Sequence, residues 1–154
     1  MGCLTNESVF SLTELPRRLL VVGGGPIGCE LSQAFRRFGA EVTLVEAGPQ
    51  FLPREDPDAA RILARAFERD GIEVRLDTKL AKVAAADGSK RVTLEHDGRS
   101  EELSVDEILV GIGRLPNVEG LNLEVAGVGD VDLVALALQQ PRERELDRAL
   151  VFDD

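Results

Sequence analysis

The chain has 154 residues and a formal net charge of −10, with 44% hydrophobic and 30% charged side chains. That length suits one domain with a modest core, and the acidic balance argues against nucleic acid or an anionic membrane surface as a partner. Its two cysteines, Cys3 and Cys29, are too few and too far apart for a C-x-x-C pair, a zinc site or a disulfide framework, so no metal is assigned and a reduced, cytoplasmic setting is expected.

Residues 1–16 mix Ser, Thr, Asn and Pro with scattered apolar residues and read as an entry segment. The stretch "MGCLTNESVF" lacks the basic start and apolar core of a signal peptide, and Asn6 stands where a myristoylation signal needs Ser or Thr. No apolar run is long enough for a membrane span. Leu19 to Val22 is wholly apolar, the pattern of a strand buried on both faces of a parallel sheet. Three glycines follow. From Pro26, the residues Ile27, Leu31, Ala34, Phe35 and Phe38 recur at near-helical spacing, with Glu30, Gln33, Arg36 and Arg37 on the other face and Gly39 as the cap.

Val42 to Val45 reads as a second buried strand. Asp56-Pro57 offers an N-cap and a first-turn proline, and Ala60, Ile62, Leu63, Ala66 and Phe67 form an apolar stripe up to Gly71. Ile72 to Leu76 is a third strand. Between Lys79 and Val105 no helical period remains, but Asp87-Gly88 and Asp97-Gly98 separate alternating segments, so a three-stranded antiparallel meander is expected. The stretch "DEILVGIGRLPN" reads as one more buried strand ending in a glycine turn. The fold class is α/β: a Rossmann-like doubly wound parallel sheet in which the meander replaces the second crossover helix. Residues 17–117 form this domain and 118–154 an extension of uncertain structure, in which "LVALAL" reads as strand or helix and "PRERELDRALVFDD" as a short helix or a frayed charged tail.

The glycines Gly23-x-Gly25-x-x-Gly28 lie between a strand and a helix, where the dinucleotide fingerprint has mechanical meaning. The first permits the turn, the second admits a pyrophosphate to the backbone, and the third lets the helix pack closely. Glu46 ends the second strand about twenty residues on, where a carboxylate accepts from the adenosine ribose. A lone Gly-x-Gly-x-x-Gly is weak evidence. Strand, glycines, helix, strand and acid in register are stronger than a bare turn beside a solvated acid. A methyltransferase site also uses a glycine turn and an acid, but the full glycine spacing argues against it.

With "RRLLVVGGGPIGCELSQAFRRFGAEVTLVE", "LPREDPDAARIL" and "VGIGRLPNVEGLNLE", the chain resembles, from Leu4 to Val128, the NAD(P)-binding domain of FAD-dependent pyridine nucleotide-disulfide oxidoreductases, the group of dihydrolipoamide dehydrogenases and mercuric reductases. The resemblance implies that Gly23, Gly25, Pro26, Ile27 and Gly28 line the pyrophosphate and nicotinamide approach. It places Glu30 toward nicotinamide and flavin, the Leu80 backbone against adenine, and Gly113 at a close approach to nicotinamide. It also implies flavin-binding and dimerisation domains as partners, FAD being held only through them. Their glycine motif, C-x4-C pair and His-Glu pair are not in these 154 residues, so the isolated chain is expected to be inactive as a reductase, and no catalytic residue is assigned. A stand-alone dinucleotide sensor or interaction module remains the alternative.

Glu46 makes NADH the expected ligand over NADPH, opposed only by nearby basic side chains at Arg36, Arg37 and Arg54. Cys29 reads as a small core residue, the lone His96 as an exposed hairpin residue and Gly129-Asp130 as outside any flavin motif. Weak self-association through the face left by the missing domains is also expected.

Overall fold

A computed structural model describes residues 2–86, 88–113, 122, 125 and 151–153. The order is β1 (Arg18–Val22), α1 (Pro26–Phe38), β2 (Glu41–Val45), α2 (Pro57–Asp70), β3 (Glu73–Arg75), β4 (Thr78–Ala86), β5 (Ser89–His96), β6 (Arg99–Val105), β7 (Glu107–Val110) and β8 (Val151–Asp153). Four strands make a parallel sheet in the order β3-β2-β1-β7, and β4, β5 and β6 make the expected antiparallel meander. β1 is central, with Leu20 facing Thr43 on one side and Ile108 on the other.

Each face of the parallel sheet has its own core because successive strand residues point to opposite sides. Leu19 and Val21 join Val42, Leu44, Phe35 and Phe67 beneath the helices. Leu20, Val22, Val45 and Ile108 meet Leu80, Val83, Val92 and Leu94 beneath the meander. Phe51 and Phe67 reinforce the helical side with an edge-to-face contact at 5.0 Å between ring centres.

The helix signals act locally. The Asp56 side chain accepts from Asp58 N at 2.8 Å, and Gly39 and Gly71 end α1 and α2 in the left-handed conformation. Two members of the expected stripes are corrected. Ile62 is 70% exposed because the buried face of α2 is Ala60, Leu63, Ala64 and Phe67, spaced i, i+3, i+4, i+7, which turns Ile62 to the far side. Phe38, 71% exposed at the last position of α1, meets the Phe35 ring edge-on from outside the core. The buried face of α1 is instead Gly28, Cys29, Ser32 and Phe35.

Asp97 and Gly98 both have positive φ, 48° and 71°, as a type I′ hairpin turn requires. Asp87, in the other expected turn, lies outside the described residues. The Leu80-to-Lys82 register shift places a bulge in β4. The start of the chain is part of the fold: Leu4 bridges to Leu109, Leu4 N donates to Ile108 O at 2.7 Å, and Val9, in a single 3-10 turn, is buried. The readings of "LVALAL" and Gly129-Asp130, and the boundary at 117/118, also lie outside the described residues. Within the C-terminal stretch, Val151–Asp153 is neither helix nor tail but pairs in parallel with Lys82–Ala84 of β4.

Candidate functional site

The glycine turn sits where β1 ends. Gly23 has φ +108°, donates to Val45 O at 2.8 Å, and a Cβ there would fall 2.6 Å from the Gly111 carbonyl oxygen. A Cβ on Gly28 would overlap the Gly23 carbonyl oxygen, so helix and turn approach as closely as glycine allows. Gly25 is different. Its φ of −76° suits any residue, and among the described residues a Cβ there would meet nothing within 4 Å. Gly23 and Gly28 are thus required by the protein's own packing, whereas Gly25 leaves open space in front of the backbone.

Gly25 caps α1 with no side-chain hydrogen bond, Pro26 occupies the first turn exposed, and Ile27 is half-buried behind it. Gly25 has no side chain to bond the first N–H groups of α1, which lie at the positive end of the helix dipole. Glu46, at the end of β2, comes directly to this turn. Its Oε2 accepts from Gly24 N at 2.7 Å and its Oε1 from Gly48 N at 3.0 Å. An ionised carboxylate offers about four acceptor positions, so about two remain for hydroxyl donors.

The other expected residues are less closely gathered. Glu30 lies beyond the first turn of α1, exposed. Gly113, φ +141°, follows β7, which lies beside β1. The Leu80 side chain is buried in the core beneath the meander, and its backbone stands opposite Leu94 in the β4–β5 ladder. Three residues not singled out in the sequence complete the site: Gly24 and Gly48 as donors to Glu46, and Gly111, whose N donates to Val22 O at 2.8 Å and whose carbonyl crowds Gly23. The first glycine of "GIG" carried the signal for Gly111.

The opposing cations are relocated. Arg36 donates to the carbonyls of Asp70 at 2.8 Å and Ala40 at 3.0 Å, and Arg37 pairs with Asp70. Both therefore stand at the C-terminal end of α1, against the start of β2, a helix length of about 20 Å from the glycine turn. Arg54 is exposed in the loop after β2.

Burial, with Glu46 and Glu30 adding to it, pushes the Cys29 thiol up to about 12, which keeps it protonated. Its Sγ lies 3.4 Å from Gly24 O, to which it donates. His96 is exposed, with Nδ1 3.1 Å from Asp77 O. No group of three or more His, Cys, Asp or Glu suited to a metal occurs among the described residues, and no described helix is long and apolar enough to cross a membrane.

A parallel sheet with a glycine turn at its central strand and helices on one face defines an α/β protein of the Rossmann-like type. The family model described as pyridine nucleotide-disulphide oxidoreductase matches residues 3–132, and the chain belongs to that family. It is 47% identical over 116 residues to the dihydrolipoyl dehydrogenase of Thermus scotoductus, covering 74% of this chain and 25% of that protein. Against the mercuric reductase of Lysinibacillus sphaericus it is 35% identical over 128 residues, 83% of this chain and 23% of that one. The HOCl-induced flavoprotein disulfide reductase RclA of Escherichia coli superposes with a TM-score of 0.73 at 34% identity, over 83% of this chain and 28% of that structure. The chain thus spans about a quarter of the length of these curated relatives.

Proposed function

We propose that this chain is the NADH-binding domain of a flavin-dependent pyridine nucleotide-disulfide oxidoreductase. The observation that carries the reading is the turn itself: open space at Gly25, uncapped helix N–H groups beside it, and a carboxylate fastened to the same turn with acceptor positions to spare. Those features fit a dinucleotide, because a pyrophosphate needs close backbone N–H donors and a ribose needs an acceptor. Gly25, Ile27 and Gly28 would hold the pyrophosphate, and Glu46 the adenosine ribose.

When bound, NADH is a hydride donor, and FAD carried by parts of the enzyme outside this chain is its acceptor. The residues here bind and orient. Glu46 also sets the choice of cofactor: a 2′-phosphate would bring negative charge to the carboxylate and remove the hydroxyl it accepts from. With Arg36 and Arg37 engaged at the other end of α1, neither offsets that repulsion. Residues 17–117 make up the binding domain, extended at its N-terminal side by the Leu4 bridge.

The test is a titration of the purified chain with NADH, NADPH and S-adenosylmethionine, following NADH by its own emission. The chain has no tryptophan or tyrosine to compete with it. Saturable binding of NADH, with NADPH weaker and S-adenosylmethionine absent, is expected. Absence of NADH binding, or preference for S-adenosylmethionine, would refute the reading.

A further inference from the structure

The Gly24 carbonyl is held from two directions. Leu52 N donates to it at 3.0 Å, and the Cys29 thiol approaches it at 3.4 Å from the buried face of α1. Leu52 itself holds φ +52°, a left-handed conformation rare for a bulky side chain. What keeps Leu52 there is visible: its side chain packs on the helical core beside buried Phe51, and its carbonyl accepts from Glu55 N at 3.0 Å and from Gln50 Nε2 at 3.2 Å.

The peptide between Gly24 and Gly25 is trans, so its N–H points opposite to its carbonyl. Pulling the carbonyl toward Leu52 and Cys29 turns the Gly25 N–H away from them. We propose that Leu52 and Cys29 are positioning residues for the dinucleotide, fixing the Gly24–Gly25 peptide so that its N–H faces the pyrophosphate. This rests on the NADH-binding reading above. The thiol suits its part because it stays protonated and so remains a donor.

The experiment compares NADH and ADP-ribose binding by the full chain and four variants, with circular dichroism and melting curves recorded for each. Leu52→Ala removes the anchor while keeping the penalty of positive φ, so the loop relaxes and affinity for both ligands falls about tenfold. Leu52→Gly loses the same anchor but adopts positive φ freely, and its affinity lies within about threefold of the unmutated chain. A purely structural role for the Leu52 side chain predicts the reverse order, because glycine loses more chain entropy on folding. Cys29→Ala weakens both ligands about threefold, and Cys29→Ser, which keeps a donor, restores them. The Gly25 amide resonance, which should shift on NADH addition in the unmutated chain and less in Leu52→Ala, reads the peptide directly. Equal affinities across the four variants, or Leu52→Gly no tighter than Leu52→Ala, overturn the inference while NADH still binds the unmutated chain. Failure of the unmutated chain to bind NADH defeats the functional reading itself.

Discussion

Glu46 and Gly24 are joined by a 2.7 Å hydrogen bond in which the backbone N–H donates to the carboxylate, and the fit is tight enough that a Cβ on Gly24 would lie 3.2 Å from Glu46 Cβ. The end of β2 is thereby fixed to the glycine turn. Glutamine at position 46 has one acceptor oxygen and one donor amide, so it can satisfy Gly24 N–H or Gly48 N–H but not both. Glu46→Gln should weaken NADH by about tenfold or more, since a hydrogen bond to a charged group is worth about 1.5–3 kcal/mol. Glu46→Ala should weaken NADH and narrow its advantage over NADPH. Equal affinity of the unmutated chain for both cofactors, measured by titration, would place the ribose elsewhere.

Two glycines of one motif should respond oppositely to alanine. Gly28→Ala forces a Cβ into the Gly23 carbonyl and should cost about 3 kcal/mol of stability, read as a lowered urea midpoint. Gly25→Ala should fold within about 1 kcal/mol of the parent, because its backbone is ordinary and the added Cβ meets none of the described residues. Its loss should appear in NADH affinity alone. A destabilised Gly25→Ala that binds NADH normally would reverse the assignment.

Ser32 Oγ is buried in the face of α1 that packs on the sheet, with no hydrogen-bond partner among the described residues. Replacing it by alanine removes an unsatisfied hydroxyl and gives a better helix former. Ser32→Ala should therefore stabilise the chain by about 1 kcal/mol, leaving NADH affinity unchanged. Thermal melting checks this, and a lower midpoint would mean that the hydroxyl has a partner in solution.

Asp106 receives the Arg18 backbone N–H at 2.9 Å and the guanidinium Nη2 at 2.6 Å, tying the starts of β1 and β7. The Arg18 side-chain hydrogen bond, above all, holds its carboxyl below the usual carboxylate range. A depressed folded value means that the unfolded chain takes up the proton first. The contribution to stability is then present above the ordinary aspartate value of about 4 and is lost as pH falls through the lower folded value. Asp106→Asn should lower the melting temperature at pH 7 and make little difference near pH 2. A constant offset across that range would show that the charge is not what matters.

Much of the fold was legible because its signals are local. Gly39, Gly71 and the Asp56-Pro57 pair mark helix ends through backbone requirements that hold in any context, and Asp97-Gly98 does the same for a hairpin. What escaped depended on distant partners. The pairing of Leu4 with Leu109 has no local period to reveal it. Gly111 is needed only because Gly23 comes against it, and the apolar character of Ile62 gave no sign that the sheet lies on the other side of α2. Arg36 and Arg37 were weighed as neighbours of the site by sequence proximity, although a helix of 13 residues carries them to its opposite end.

The placement of β1 between β2 and β7 also sets when the molecule can finish folding. Its first neighbour arrives within a few tens of residues, but its second, Glu107–Val110, comes only after the whole meander has been made. During synthesis the central strand therefore waits with one hydrogen-bonding edge bare until Glu107–Val110 arrive. A ribosome stalled before residue 106 would display a sticky half-sheet, and a chaperone recognising nascent apolar strands would find its longest opportunity there. Release of the few residues from Asp106 to Val110 would close that window, with the Arg18–Asp106 clasp fixing the register as it shuts.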